Sequence, residues 1–299
     1  MKYSPNRTHD RSRFYKYMTA KTASLVLQNL TLRWSSPVEF NDPFDIPREI
    51  LWGINASDIQ KASLKYLLDL MTDPPEKTDG FKPQVRMVLE AIKNADDASK
   101  SNIIQEIKEF PREDLIASPS LEELKNLWRN LIPEFRILCL CEDHDTISMW
   151  YHYADKYRGV VVEFECIDDL DSAWLVAEPV VYVKSIPEIS TASGWATVLF
   201  MSQEKAVQTL FKVCAYSKAL DWSYEKEWRV TSFKRPDEIG TISDYAFNPR
   251  ELKSVYLGPL IDRKDQDEIL KLINDLLPHV VVYKTQIGMN LSFNFSIVN

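Results

Sequence analysis

Apolar and polar positions along the chain follow two rhythms. Near the N-terminus RFYKYM (13–18) predicts a short aromatic strand, KTASLVLQNL (21–30) a helix, and LRWSSP (32–37) a second strand stopped by Pro37. From Ser57 to Pro133 the spacing lengthens to three and four. Ile59, Ala62, Tyr66, Leu67 and Leu70 mark one helix; Val85, Val88, Leu89 and Ile92 a second; Ile103, Ile104, Ile107 and Phe110 a third. SLEELKNLWRNLI predicts a fourth, opened by a capping box of Ser120 and Glu123. The block is expected to be a helical insertion, about 57–133, in a single α+β domain spanning 1–299.

After Pro133 the rhythm is mixed again. RILCLC, GVVVEFE, EPVVYV, YEKEWRVTSF and KSVYLGP predict strands. TISMWYHYAD, the stretch from about Ala196 to Tyr216, and DQDEILKLINDLL after a capping Asp262 predict helices. VVVYKTQI and LSFNFSIV, separated by GMN, predict a closing hairpin. Strands and helices alternate irregularly, which favours α+β with a mostly antiparallel mixed sheet over a doubly wound one.

Composition narrows the function classes. With 45% apolar and 27% charged residues the chain is expected to fold in water, and no apolar run approaches the ~18 residues of a membrane span. The first seventeen residues are polar and basic, unlike a secretory signal. A net charge of −8 disfavours a surface built to grip nucleic acid, a local basic groove aside. The seven glycines are scattered, so neither a GxGxxG turn nor a phosphate loop is present. Four cysteines make no disulfide framework, which predicts a reducing, cytoplasmic setting. Cys139 and Cys141 share a strand face, and His144 and His152 lie nearby. The paired spacing of a zinc site is missing, so buried thiols and no metal are expected.

Three segments could carry chemistry. On a continuous strand, Trp222, Tyr224, Lys226 and Trp228 share one face, and Ser223, Glu225, Glu227 and Arg229 the other. Two carboxylates at that spacing raise each other's pKa unless a cation intervenes, and Arg229 is placed to be that cation. The bland account is a solvated charged face; the sharp one is a carboxylate pair facing a cleft and stabilising developing positive charge. Trp150, Tyr153 and Tyr157 form a helical stripe that packs a core or borders a pocket. In RFYKYM, Arg13, Tyr15 and Tyr17 oppose Lys16; a protected edge strand is the structural alternative. In FNDPFD, Asn41 and Asp42 build an Asx turn, or Asp42 and Asp45 face a ligand.

The opening FYKY, SSPVEFNDPFD, CLCED, SMWYHYAD, GVVVEF, YEKEWR and VYLGP together resemble a bacterial family known only as a domain of unknown function. Some of its members sit beside abortive-infection (AbiGi-like) phage-defence genes. A more distant resemblance is to mono-ADP-ribosyltransferases. These present a basic or aromatic first-strand residue, a Ser-rich strand and a Glu-x-Glu. Arg13 or Lys16, then Ser35 and Ser36, then Glu225 and Glu227 follow that order here, with Ser-Ser-Pro in place of Ser-Thr-Ser. The second resemblance implies an ADP-ribosyltransferase-like fold that takes NAD as substrate, with a protein or nucleic-acid acceptor. Glu227 would stabilise an oxocarbenium-like transition state and Glu225 position the acceptor. Tyr17 and Tyr153 would stack on nicotinamide, and Lys16 or Arg13 hold a phosphate or ribose. Two other readings stand beside it. One is a non-catalytic sensor or interaction module whose helical insertion meets a protein partner. The weaker one is a nuclease placing Asp42, Asp45, Glu225 and Glu227 around a metal.

Overall fold

The structure is a computed structural model that describes residues 4–50, 53–109 and 118–298. In chain order the first elements are β1 (Arg13–Met18), α1 (Ala20–Asn29), β2 (Thr31–Ser35), α2 (Ala56–Thr72), α3 (Pro83–Asn94), α4 (Asp97–Glu109) and α5 (Ser118–Leu131). Then come β3 (Phe135–Cys141), α6 (Ile147–Tyr153), β4 (Val160–Glu165), β5 (Glu178–Pro179), β6 (Val181–Val183), α7 (Pro187–Ser190), α8 (Ala192–Phe200), α9 (Gln203–Ala215) and β7 (Ser217–Ala219). The chain closes with β8 (Glu227–Phe233), β9 (Ile242–Ala246), β10 (Leu252–Leu257), α10 (Arg263–Leu276), β11 (Val281–Ile287) and β12 (Phe293–Ile297).

These elements fall into two compact units. The first is Met1–Asn41, Pro133–Tyr182 and Leu220–Asn299; the second is Asp42–Ile132 and Val183–Ala219. The helical block of the sequence thus forms its unit together with 183–219.

The first unit holds a sheet of order β12-β11-β10-β4-β1-β3-β2-β9, with β8 on β3 and β5 on β8. Its pairings are antiparallel except β10 with β11, so the fold is α+β with a mostly antiparallel sheet. β8 follows β3 along its whole length. On the other side of β3, β1 joins only at Tyr15–Cys141 and β2 only at Ser35–Ile137. Lys16 spans the gap that opens there, its Nζ donating to the Cys139 carbonyl at 2.8 Å. Alternation sends Phe14 and Met18 into a core shared with α1, α10, Leu138, Leu140, Val160, Val162 and Val230. Tyr15 and Tyr17 enter a second core with Cys141, Val161, Tyr256 and, from α6, Met149 and Trp150. β1 is therefore an interior strand, not a protected edge, because β4 pairs with all six of its residues.

Several elements depart from the sequence reading. The strand expected from Tyr224 starts at Glu227. Leu220–Glu225 is a 3-10 turn, and Lys226 is left-handed (φ 43°). The helix expected from Ala196 to Tyr216 breaks at Met201–Ser202, where the Ser202 hydroxyl caps α9 by accepting from the Lys205 N–H. α5 begins at Ser118, so Ser120 lies inside the helix and is not its cap. Asp262 does precede α10, without a side-chain capping bond. EPVVYV divides at Val180, whose N–H goes to the Glu227 carbonyl. The closing hairpin forms, with a Gly288–Ser292 loop in which Asn290 and Leu291 are left-handed.

In the second unit Leu67, Met71, Leu89, Ile92 and Phe200 form a core of their own. The Trp128 indole N–H donates to the Pro47 carbonyl at 2.7 Å. No helix among the described residues is long and apolar enough to cross a membrane.

Candidate functional site

The face of β8 that carries Glu227 and Arg229 is buried, and the solvated ion pair of the sequence reading is not what forms. Arg229 is 0% and Glu227 4% exposed. The Arg229 Nε donates to Glu227 Oε1 at 2.7 Å and one terminal nitrogen to Oε2 at 3.0 Å, a two-pronged pair that fixes the plane of the carboxylate. The Phe40 ring centroid lies 5.6 Å from the guanidinium carbon. Register sets Arg229 opposite Cys139 and Glu227 opposite Cys141.

Glu225 arrives differently. It ends the 3-10 turn, and the left-handed Lys226 reverses the chain so that Glu225 and Glu227 are both buried although no strand joins them. The Lys226 carbonyl accepts from the Glu142 N–H, and its ammonium reaches Asp143 at 2.7 Å, which holds this unusual backbone. At the last residue of α6, the Tyr153 hydroxyl donates to Glu225 Oε1 at 2.5 Å. Sequence reasoning missed Tyr182, whose hydroxyl accepts the Glu227 N–H at 2.8 Å; only its place in EPVVYV, next to the strand that pairs with β8, hinted at it.

Burial drives the thiols of Cys139 and Cys141 upward, and the Glu227 carboxylate pushes both further. Glu225 acts on Cys141 as well, so both carboxylates bear on one thiol. Such thiols stay protonated and are poor nucleophiles. Among the described residues no group of three or more His, Cys, Asp or Glu is arranged to hold a metal ion.

The other predicted residues go elsewhere. Tyr17 is a brace: its hydroxyl donates to the Asp143 carbonyl (2.9 Å) and accepts from the Thr146 N–H (3.3 Å), and its ring meets Trp150 edge-on. Trp150 is fully buried, its indole N–H on the His144 carbonyl. The helical stripe stops at Tyr153, since Asp155, Lys156 and Tyr157 turn left-handed (φ 45°, 51° and 70°). Arg13 and Tyr15 belong to a cluster around Glu163, which takes Arg13 on one oxygen (2.8 Å) and the Tyr256 hydroxyl on the other (2.9 Å). Ser35 ends β2. Ser36 is buried, and its hydroxyl caps the short 3-10 turn Pro37–Glu39. Asn41 is exposed. Asp42 makes the Asx turn, accepting from the Phe44 N–H at 2.9 Å. Asp45 pairs with Lys218 at 3.4 Å, both buried.

A family model described as a protein of unknown function (DUF2971) matches residues 149–230, about a quarter of the chain. The matched span runs from α6 into β8 and contains Tyr153, Glu225, Glu227 and Arg229. No curated protein and no solved structure matches the chain.

Proposed function

We propose that this chain is an NAD-consuming, ADP-ribosyltransferase-like enzyme whose working group is the buried carboxylate pair Glu225 and Glu227, and that it acts as a toxin or phage-defence effector. The observation behind the proposal is that Glu225, held by Tyr153 from a helix end, and Glu227, held by Arg229 on a strand, are both buried and both bear on the Cys141 thiol. Cleavage of the nicotinamide–ribose bond develops positive charge on the ribose, and fixed carboxylates stabilise it most when they need no reorganisation. Arg229 presets the plane of Glu227, so the carboxylate needs no reorientation to face a ribose. Glu225, aimed by Tyr153, takes the acceptor's proton. Access requires Tyr153 to swing off Glu225, and it stands at the helix end next to three left-handed residues.

Calorimetric titration with NAD and a nicotinamide-release assay on the full chain test this. Saturable binding and release are expected, and neither occurring with varied acceptors would end the reading.

The depth of the pair favours a second reading, in which the quartet is scaffold and the chain is a non-catalytic interaction module. That reading expects no turnover, and loss of stability alone when the quartet is altered.

A further inference from the structure

We propose a second ligand site in the first unit, a pocket for a nucleoside monophosphate with an aminated base, separate from the carboxylate pair and independent of its chemistry. A cavity of about 410 Å³ opens beside the C-terminal end of β8 and is walled by Trp34, Trp174, Tyr245 and Phe247. That volume lies in the range of small-molecule sites. Glu227 and Phe233 stand at opposite ends of β8, about 20 Å apart at strand rise. Trp34 and Trp174 also belong to the core on the α1 and α10 side of the sheet, the side opposite Tyr17 and Trp150.

Three features define the ligand. The walls are aromatic and rigidly set: Trp34 meets Tyr245 edge-on at 5.4 Å, and the Tyr245 hydroxyl is anchored on Glu238 at 2.9 Å. Walls of this kind take a planar ring. Arg235 lies over the Tyr245 ring, 4.8 Å from its centroid, and has no carboxylate partner among the described residues. Its fork of donors is left for an anion, and phosphate matches that geometry. Deep in the lining, Glu251 is 4% exposed. Its Oε2 accepts the Asn248 N–H at 2.8 Å, and burial raises its pKa above the ordinary glutamate value. A carboxylate so placed keeps acceptor capacity for an exocyclic amine. Ring, amine and phosphate together are an aminated nucleotide.

Titration of the full chain at pH 7.5 with AMP, adenosine, IMP and inorganic phosphate reads the site by calorimetry. AMP is expected to bind at least tenfold more tightly than adenosine, which lacks the anion, and than IMP, which puts a carbonyl where AMP has the amine. Arg235→Gln, at an exposed position, should weaken AMP about tenfold and leave adenosine unchanged. Tyr245→Leu should weaken both, and Tyr153→Phe, in the other site, neither. No AMP binding at millimolar concentration, equal binding of AMP and IMP, or AMP affinity untouched by Arg235→Gln would each overturn the proposal.

Discussion

A guanidinium with no exposed surface cannot shed its partner cheaply. Glu227→Gln takes a charged partner from this fully buried guanidinium, and breaking a buried pair in this way costs about 3–5 kcal/mol. Replacing both, as Glu227→Leu with Arg229→Met, should recover most of that loss in urea melts, because the desolvation cost of both charges goes too. A double variant no more stable than Glu227→Gln would show that the pair is not the source. Two histidines set the acid side of the stability curve. The His9 Nδ1 accepts the Arg11 N–H at 3.1 Å and its Nε2 donates to the Trp174 carbonyl at 2.8 Å, so the ring is held neutral. Burial lowers its pKa, and burial likewise lowers that of His144, whose ring packs among Tyr15, Tyr256 and Phe295. Both folded values lie below the ordinary value of about 6.5. Between the two values the unfolded chain binds more protons, so stability is complete above that pH and falls as pH drops below it. The melting temperature should decline from pH 6.5 to 5, and His144→Phe should flatten the slope. A flat wild-type curve in that window would contradict the assignment.

The element that carries Tyr153 is bounded by two close backbone approaches. A Cβ on Gly159 would sit 2.2 Å from the Met18 carbonyl oxygen, and one on Gly258 2.3 Å from that of Tyr157. Both obstacles are backbone, so Gly159→Ala is expected to cost about 3 kcal/mol or more, the upper end of overpacking. Lys156→Gly points the other way. Lys156 is exposed and left-handed (φ 51°), and glycine relieves about 1 kcal/mol of strain. A denaturant midpoint that falls for Lys156→Gly, or holds for Gly159→Ala, would refute this view of the turn. Such turns also mark where the sequence stopped being legible. β1, α1 and β2 follow from alternation and from the Thr19 cap, and their extents are close to those expected. Left-handed backbone at Lys226 and at Asp155–Tyr157 carries no glycine to announce it, so periodicity predicts too long a strand and carries the aromatic stripe one turn too far. The break at Met201–Ser202 has neither glycine nor proline; the Ser202 cap and a backbone bridge from Met201 to Phe81 hold it.

At the scale of the whole molecule, the sheet assembles what the sequence could only order. The family-model match and the four site residues share the span 149–230, while β3 brings Cys139 and Cys141 under them from outside it. The Glu227–Arg229 face was visible as a pattern, whereas Glu225 reaches it from a turn that alternation does not foresee. Its burial was not, because a strand face with two carboxylates and a cation reads the same whether water or protein covers it. Residue type alone groups Arg13, Tyr15, Lys16 and Tyr17, but the register gives Arg13, Lys16 and Tyr17 each a partner in its own neighbourhood and sets Tyr15 beside Arg13 and Glu163. The acidic balance of the chain, −8, makes a polyanionic acceptor slow to approach at low salt, so a protein acceptor should be modified faster than RNA in a side-by-side transfer assay. Faster labelling of RNA would overturn that ranking. In the proposed reaction Glu225, aimed by Tyr153, takes the proton of the attacking acceptor or water, so NAD cleavage coupled to that attack needs both side chains beside a prearranged Glu227. Glu225→Gln and Tyr153→Phe keep shape and ring, and each weakens or removes the charge-assisted bond between the two side chains, a cost of about 1.5–3 kcal/mol in their melts. The decisive measurement is the rate of nicotinamide release from NAD by the parent chain and these two variants, each normalised to folded protein. Release by the parent is expected, with a fall on the order of a hundredfold in Glu225→Gln and a smaller fall in Tyr153→Phe. Release at the same rate in all three, or in none, would contradict it.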